Sequence, residues 1–135
     1  MATDKKTTII LQKNIKGICL INFYLNGIVE ISWDTQLKEI NKEHLIQIKK
    51  NIGEVGGGKK MPVYISTIDF LAISDSGRKY SASDEGQAFT LANAVLIDNL
   101  AKKILFNFYM NINKPKTPTK AFGTKEDAFT WLLSL

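Results

Sequence analysis

Three short apolar runs, PVYIST (62–67), FTLANAVLI (89–97) and TKAF (119–122), alternate with segments that carry helix signals. This alternation is what most constrains the chain. With connections so short, strands and helices bury their apolar faces as right-handed β-α-β units, with helices packed on a sheet.

The first third is richer in strands. TTIILQ, GICLINFY and GIVEISW are β-branched and aromatic runs, and Asn26-Gly27 between the last two marks a hairpin. The spacing then changes to helical period in INKEHLIQIKKNIGEV, where Leu45, Ile48, Ile52 and Val55 share one stripe. Gly56-Gly57-Gly58 ends that helix. A helix over 74–87, broken near Ser83, is expected next. Asp98 and Asn99 stand where a cap belongs ahead of LAKKILFNFYMNI, and NKPKTP stops that helix. The last segment, TKEDAFTWLLSL, reads as a helix capped by Thr124, with Ala128, Trp131, Leu132 and Leu135 inward. Together these elements predict one α/β domain over residues 1–135: a mixed sheet, an N-terminal hairpin and about four helices.

Several function classes lose ground on composition. The 135 residues suffice for one core. No apolar run approaches the roughly 18 residues of a membrane span. MATDKKTT lacks the apolar stretch of a secretory signal. One cysteine, Cys19 in ICLINF, suits a buried position and a reducing cytoplasm. The net charge of +5 is spread over scattered lysine pairs, so nucleic acid is not an expected partner.

Chemistry-bearing motifs are few. GEVGGGKK (53–60) nearly spells a phosphate loop, but Lys60 replaces the hydroxyl residue and the glycines follow a helix instead of preceding one. His44 is the only histidine and sits among Lys42, Glu43 and Gln47, an exposed helical setting; it gives no metal pair and no catalytic triad. Glu126-Asp127 and Asp84-Glu85 fall in first helical turns, where carboxylates complement the dipole. No catalytic residue, metal or cofactor is expected, and the chain reads as a non-enzyme.

Three places remain as candidate sites. Ser74, Asp75 and Ser76 form a turn opening a helix, suited to a cap or a phosphate acceptor. Ser66-Thr67 and Asp98-Asn99 also follow strands, so all three segments should gather at the carboxyl ends of the sheet. In the penultimate helix, Leu100, Ala101, Ile104, Leu105, Phe108, Tyr109 and Ile112 suit the core face. Phe106 and Met110 then fall on the polar side as a candidate partner surface. Lys114 and Lys116 flank a helix end at the opposite rim, as a dipole-pairing or anion-contacting loop.

From ANAVLIDNLAKK to TKEDAFTWL, through Asn113-Lys114-Pro115, Pro118, Phe122, Ala128 and Trp131-Leu132, the chain resembles small bacterial STAS-like proteins of unknown function. The resemblance implies the fold of sporulation anti-sigma-factor antagonists, also compared with lipid-binding CRAL-TRIO domains. In such antagonists a hydroxyl residue in an Asp-Ser-Ser-Gly-like turn is phosphorylated. Asp75-Ser76-Gly77 lies at about that place, without the doubled hydroxyl and with Arg78 following. The implied function is regulation through an unidentified protein partner or a homodimer. The alternative is a carrier of a lipid or small apolar ligand, its pocket lined by Phe70, Leu71 and the penultimate helix.

Overall fold

The computed structural model describes residues 8–67 and 72–135. The elements run β1 (Ile9–Ile15), β2 (Cys19–Tyr24), β3 (Val29–Trp33), β4 (Glu39–Ile40), α1 (Lys42–Val55), β5 (Met61–Ile65) and β6 (Ala72–Ile73). They continue as α2 (Asp75–Ala82), β7 (Thr90–Leu96), α3 (Leu100–Ile112), β8 (Thr119–Phe122) and α4 (Lys125–Leu133).

Six strands form one sheet in the order β1-β2-β3-β5-β7-β8. The β1-β2 and β2-β3 pairs are antiparallel; from β3 onward every pairing is parallel, with Ile31 opposite Ile65 and Val63 opposite Asn93. The mixed α/β sheet is therefore as expected. The β2-β3 turn closes through Tyr24 N–H to the Ile28 carbonyl, with Gly27 at φ 93°. Asn26 does not share the positive φ. Its side chain instead accepts from Ile28 N–H. A second, two-stranded parallel sheet pairs β4 with β6. Neither strand was expected, because two residues carry no readable period.

Strand alternation sends one set of side chains to each face. Cys19, Ile21, Phe23, Val29, Ile31 and Val63 meet Ile48 and Ile52 of α1. Burial pushes the Cys19 thiol up to about 12, so it acts as a small hydrophobe. On the other face, Ala92 and Ala94 leave room for Phe129 of α4, whose ring stands edge-on to Tyr24 and Tyr64 at 5.2 and 5.4 Å. The inner stripe of α4 is Ala128, Phe129 and Leu132; Leu135 is exposed.

A polar network locks the start of α4 to this second face. Glu30 accepts from Asn22 Nδ2 at 2.9 Å and Tyr24 Oη at 2.8 Å, and pairs with Lys125 Nζ at 2.9 Å. His44, expected to be a plain exposed residue, is half-buried and closes a capping box: its Nδ1 accepts from Asn41 N–H, and its own N–H donates to Asn41 Oδ1. No helix among the described residues is long and apolar enough to cross a membrane.

Candidate functional site

Helix α3 is built unlike the others: none of its residues is buried. Leu100, Ile104 and Ile112 are 72%, 60% and 63% exposed, and Leu105 and Phe108 are exposed too. The half-buried positions are Lys102, Phe106, Tyr109, Met110 and Asn113. Four of these, 102, 106, 109 and 113, follow the four-three spacing of one helical stripe.

The expected orientation of α3 is thus corrected. Phe106 and Met110 lie on the half-buried side and are not an exposed ridge. Apolar residues occupy most of the circumference of α3, so amphipathicity did not define an inner face. Polar anchors settle the rotation. Asn99 caps the helix by accepting from Lys102 N–H, Lys102 Nζ pairs with Asp98 at 2.7 Å, and Tyr109 Oη meets Ser81 Oγ of α2 at 3.0 Å.

Between α3 and the sheet is a cavity of about 270 Å³. Trp33, Ile65, Val95 and Ile97, at or near the carboxyl ends of their strands, form its floor. Ile73 and Arg78 form one wall, and Leu105, Phe106 and Tyr109 the roof. The lining is overwhelmingly apolar. Asn93, one of its polar members, is already engaged, donating to Gln87 Oε1 at 2.8 Å. Phe70 and Leu71, expected to line such a pocket, lie outside the described residues.

The expected rim converges on this cavity. Thr67 Oγ1 donates to the Leu96 carbonyl at 2.7 Å, and Lys102 Nζ reaches the Thr67 carbonyl at 3.5 Å. The Lys102 ammonium holds the Asp98 carboxyl below the usual carboxylate range. Both Thr67 and Lys102 line the cavity.

The turn at Ser74–Ser76 borders the wall. Ser74, not Ser76, is the cap of α2, accepting from Gly77 N–H at 3.0 Å. Ser76 is exposed, its Oγ 3.3 Å from Ser74 Oγ. Asp75 pairs with Lys79 at 3.1 Å and Arg78 at 3.4 Å, and the Lys79 hydrogen bond is the main reason its carboxyl is held low. The helix ends at Ala82 with Ser83 as its cap, where the break was expected, and residues 83–87 do not continue it.

Arg78, which the sequence marks only by its place after Gly77, is the residue that sequence reasoning missed. It lines the cavity, donates from Nη1 to the Ile73 carbonyl at 2.6 Å and stacks 5.5 Å from the Phe108 ring. Its Nε is buried without a hydrogen-bond partner among the described residues. Lys114 and Lys116 are elsewhere. Both are exposed after α3, Lys114 at φ 47°, and Lys116 is 4.0 Å from Asp84 in the loop after α2. No cluster with the cavity forms there.

An α/β sheet with α1, α2 and α3 on one face and α4 on the other, and an apolar cavity beneath α3, defines the class. The structure is similar to that of an uncharacterized protein from the DUF3478 family with a SpoIIAA-like fold, from Shewanella loihica PV-4. The identity is 15%, 98% of each chain is covered, and the TM-score is 0.50. It also matches a protein of unknown function from Arthrobacter sp. FB24, at 19% identity over 83% of this chain and 96% of that one, with a TM-score of 0.31. No curated protein matches the chain. The chain belongs to the DUF7793 family, a domain of unknown function, whose pattern matches residues 21–135. The STAS-like, anti-sigma-factor-antagonist-like architecture implied by the sequence agrees with the SpoIIAA-like fold of the first structure.

Proposed function

We propose that this chain is a non-enzymatic, cytoplasmic binding domain that takes a small apolar ligand beneath α3. The supporting observation is the apolar cavity of about 270 Å³ beneath α3. An occupant covers apolar surface that the open side of the cavity leaves to water. The volume suits on the order of ten carbon-sized atoms.

Helix α3 makes the site accessible. A helix with no buried residue, tethered by its ends and by Tyr109, opens at lower cost than α1 or α4. Isothermal titration with 1-octanol tests the reading. One saturable site that disappears in Val95→Phe supports it; heat of dilution alone in both proteins refutes it.

A second reading draws on the outward row Leu100, Ile104 and Ile112. An exposed apolar row with no acidic residue on its helix suits a protein partner or a second copy of the chain. Ser76, exposed in the first turn of α2, would then accept a regulatory phosphate, adding charge of about −2 to that turn. Sedimentation of wild type against Leu100→Glu/Ile104→Glu checks self-association. Intact mass of protein from its native host checks Ser76.

A further inference from the structure

The outer face of α3 is apolar, and the charge around it has one sign. Leu100, Ile104, Leu105, Phe108 and Ile112 are each about half exposed or more. Positions 100, 104, 108 and 112 are four apart, so they form one row along the helix. A contiguous exposed apolar face of this kind marks an interaction surface. Residues 99–117 carry four lysines, Lys102, Lys103, Lys114 and Lys116, and no aspartate or glutamate. Lys103, three residues after Leu100, flanks the row, and Lys114 and Lys116 follow the end of the helix; all three are exposed. The carboxylates of Asp75, Asp84 and Asp98 are each matched by a cation: by Lys79 and Arg78, by Lys116 and by Lys102. Lys103 and Lys114 have no carboxylate partner among the described residues.

We propose that α3 docks this domain on the surface of an anionic lipid bilayer, lying in the headgroup plane with Leu100, Ile104, Phe108 and Ile112 among the upper acyl chains. An interfacial helix combines the same two features. Apolar side chains supply the burial, and flanking lysines hold their ammonium groups at the lipid phosphates. Each lysine near such a surface adds attraction, because anionic lipids give it a negative potential. A second copy of the chain fits this face less well. Two α3 faces related by a twofold axis would bring Lys103 and Lys114 against the same residues of the copy, where like charges repel. The cavity adds an argument for a bilayer. Leu105 and Phe108 are exposed and also line the cavity, so the docking face runs into it. Seated by α3, the cavity lies next to the phase in which apolar molecules dissolve. That last step rests on the reading that the cavity takes an apolar ligand; the docking itself does not.

Flotation with phosphatidylcholine vesicles, with and without about one-third phosphatidylserine, tests the docking. At about 0.1 M salt, wild type should partition onto the anionic vesicles at least about tenfold more strongly than onto the neutral ones. At about 1 M salt most of that preference should be lost. Leu100→Gln/Ile104→Gln/Ile112→Gln should weaken binding to the anionic vesicles at least about tenfold, by removing the inserted row. Lys103→Gln/Lys114→Gln/Lys116→Gln should bring anionic binding down to the neutral level. All six positions are exposed, so both variants should melt close to wild type. No partition of wild type onto anionic vesicles, equal partition onto both kinds, or partition indifferent to either triple variant overturns the docking. So does wild type sedimenting as a dimer that Leu100→Gln/Ile104→Gln/Ile112→Gln dissociates, since a second copy then covers the row. Titration with 1-octanol separates the two readings, because Leu100, Ile104 and Ile112 lie outside the cavity lining. Octanol binding without vesicle binding overturns the docking alone; vesicle binding without octanol binding overturns the cavity reading alone.

Discussion

The hydroxyls of Ser81 on α2 and Tyr109 on α3 meet at 3.0 Å, a hydrogen bond that ties the roof of the cavity to its wall. Burial pushes the Tyr109 phenol up, so the group stays neutral and able to donate. Because α3 buries no residue, one such bond is a substantial share of what holds it. Tyr109→Phe should cost about 1 kcal/mol and speed amide exchange in α3 about fivefold, with α1 unaffected. Hydrogen exchange resolved by element reads this out. Unchanged α3 exchange would mean that the tether is incidental.

Val95 sits in β7 on the cavity floor. Replacing it with Phe fills open space, so the stability change should stay within about 1 kcal/mol, less than the usual cost of overpacking a full core. Affinity for an apolar probe should fall at least about tenfold. Thermal melts beside titrations decide the point, and a large loss of stability would show that the floor is already packed.

The two serines at the start of α2 have separable roles. Ser74 caps the helix through Gly77 N–H, so Ser74→Ala should lower stability by about 1 kcal/mol. Ser76→Ala, at an exposed position, should stay within about 0.5 kcal/mol. Urea unfolding of both variants measures the difference; equal losses would remove the distinction.

Acid sensitivity should come from the far side of the sheet. Burial pushes the Glu30 carboxyl up, but hydrogen bonds from Asn22, Lys125 and Tyr24 outweigh it and leave the group below its ordinary range. A depressed carboxyl adds stability above its unfolded value of about 4.3. That stability is lost as pH falls through the folded value. Glu30→Gln should therefore be less stable than wild type at pH 7, and the gap should shrink below about pH 4. Parallel melting curves across that range would assign acid sensitivity to other groups.

How far the sequence could be read varied with the physics of each element. Long periodic segments were legible. The Leu45–Val55 stripe of α1 packs inward as its spacing predicts, and β7 and β8 fall where their apolar runs lie. Two-residue β4 and β6 had no period to detect, whereas α2 breaks at Ser83 as expected, where that side chain turns back to the Tyr80 carbonyl. The site was legible only in outline. Gathering Thr67 and Asp98 at the strand ends followed from connectivity. The rotation of α3 did not, because hydrophobicity there runs nearly all round and single polar anchors from Asp98, Asn99 and Ser81 decide it. Arg78 was invisible for a related reason: a cation after a capped turn resembles any solvated helix residue until the fold places a cavity beside it.

The cavity under α3 can be tested most directly by methyl NMR during titration with 1-octanol. The account predicts saturable shifts at Ile65, Val95, Ile97 and Leu105, which line the cavity, and none at Leu100, Ile104 or Ile112 on the outer row. Shifts restricted to the outer row, or none anywhere up to the solubility limit of the alcohol, would contradict it.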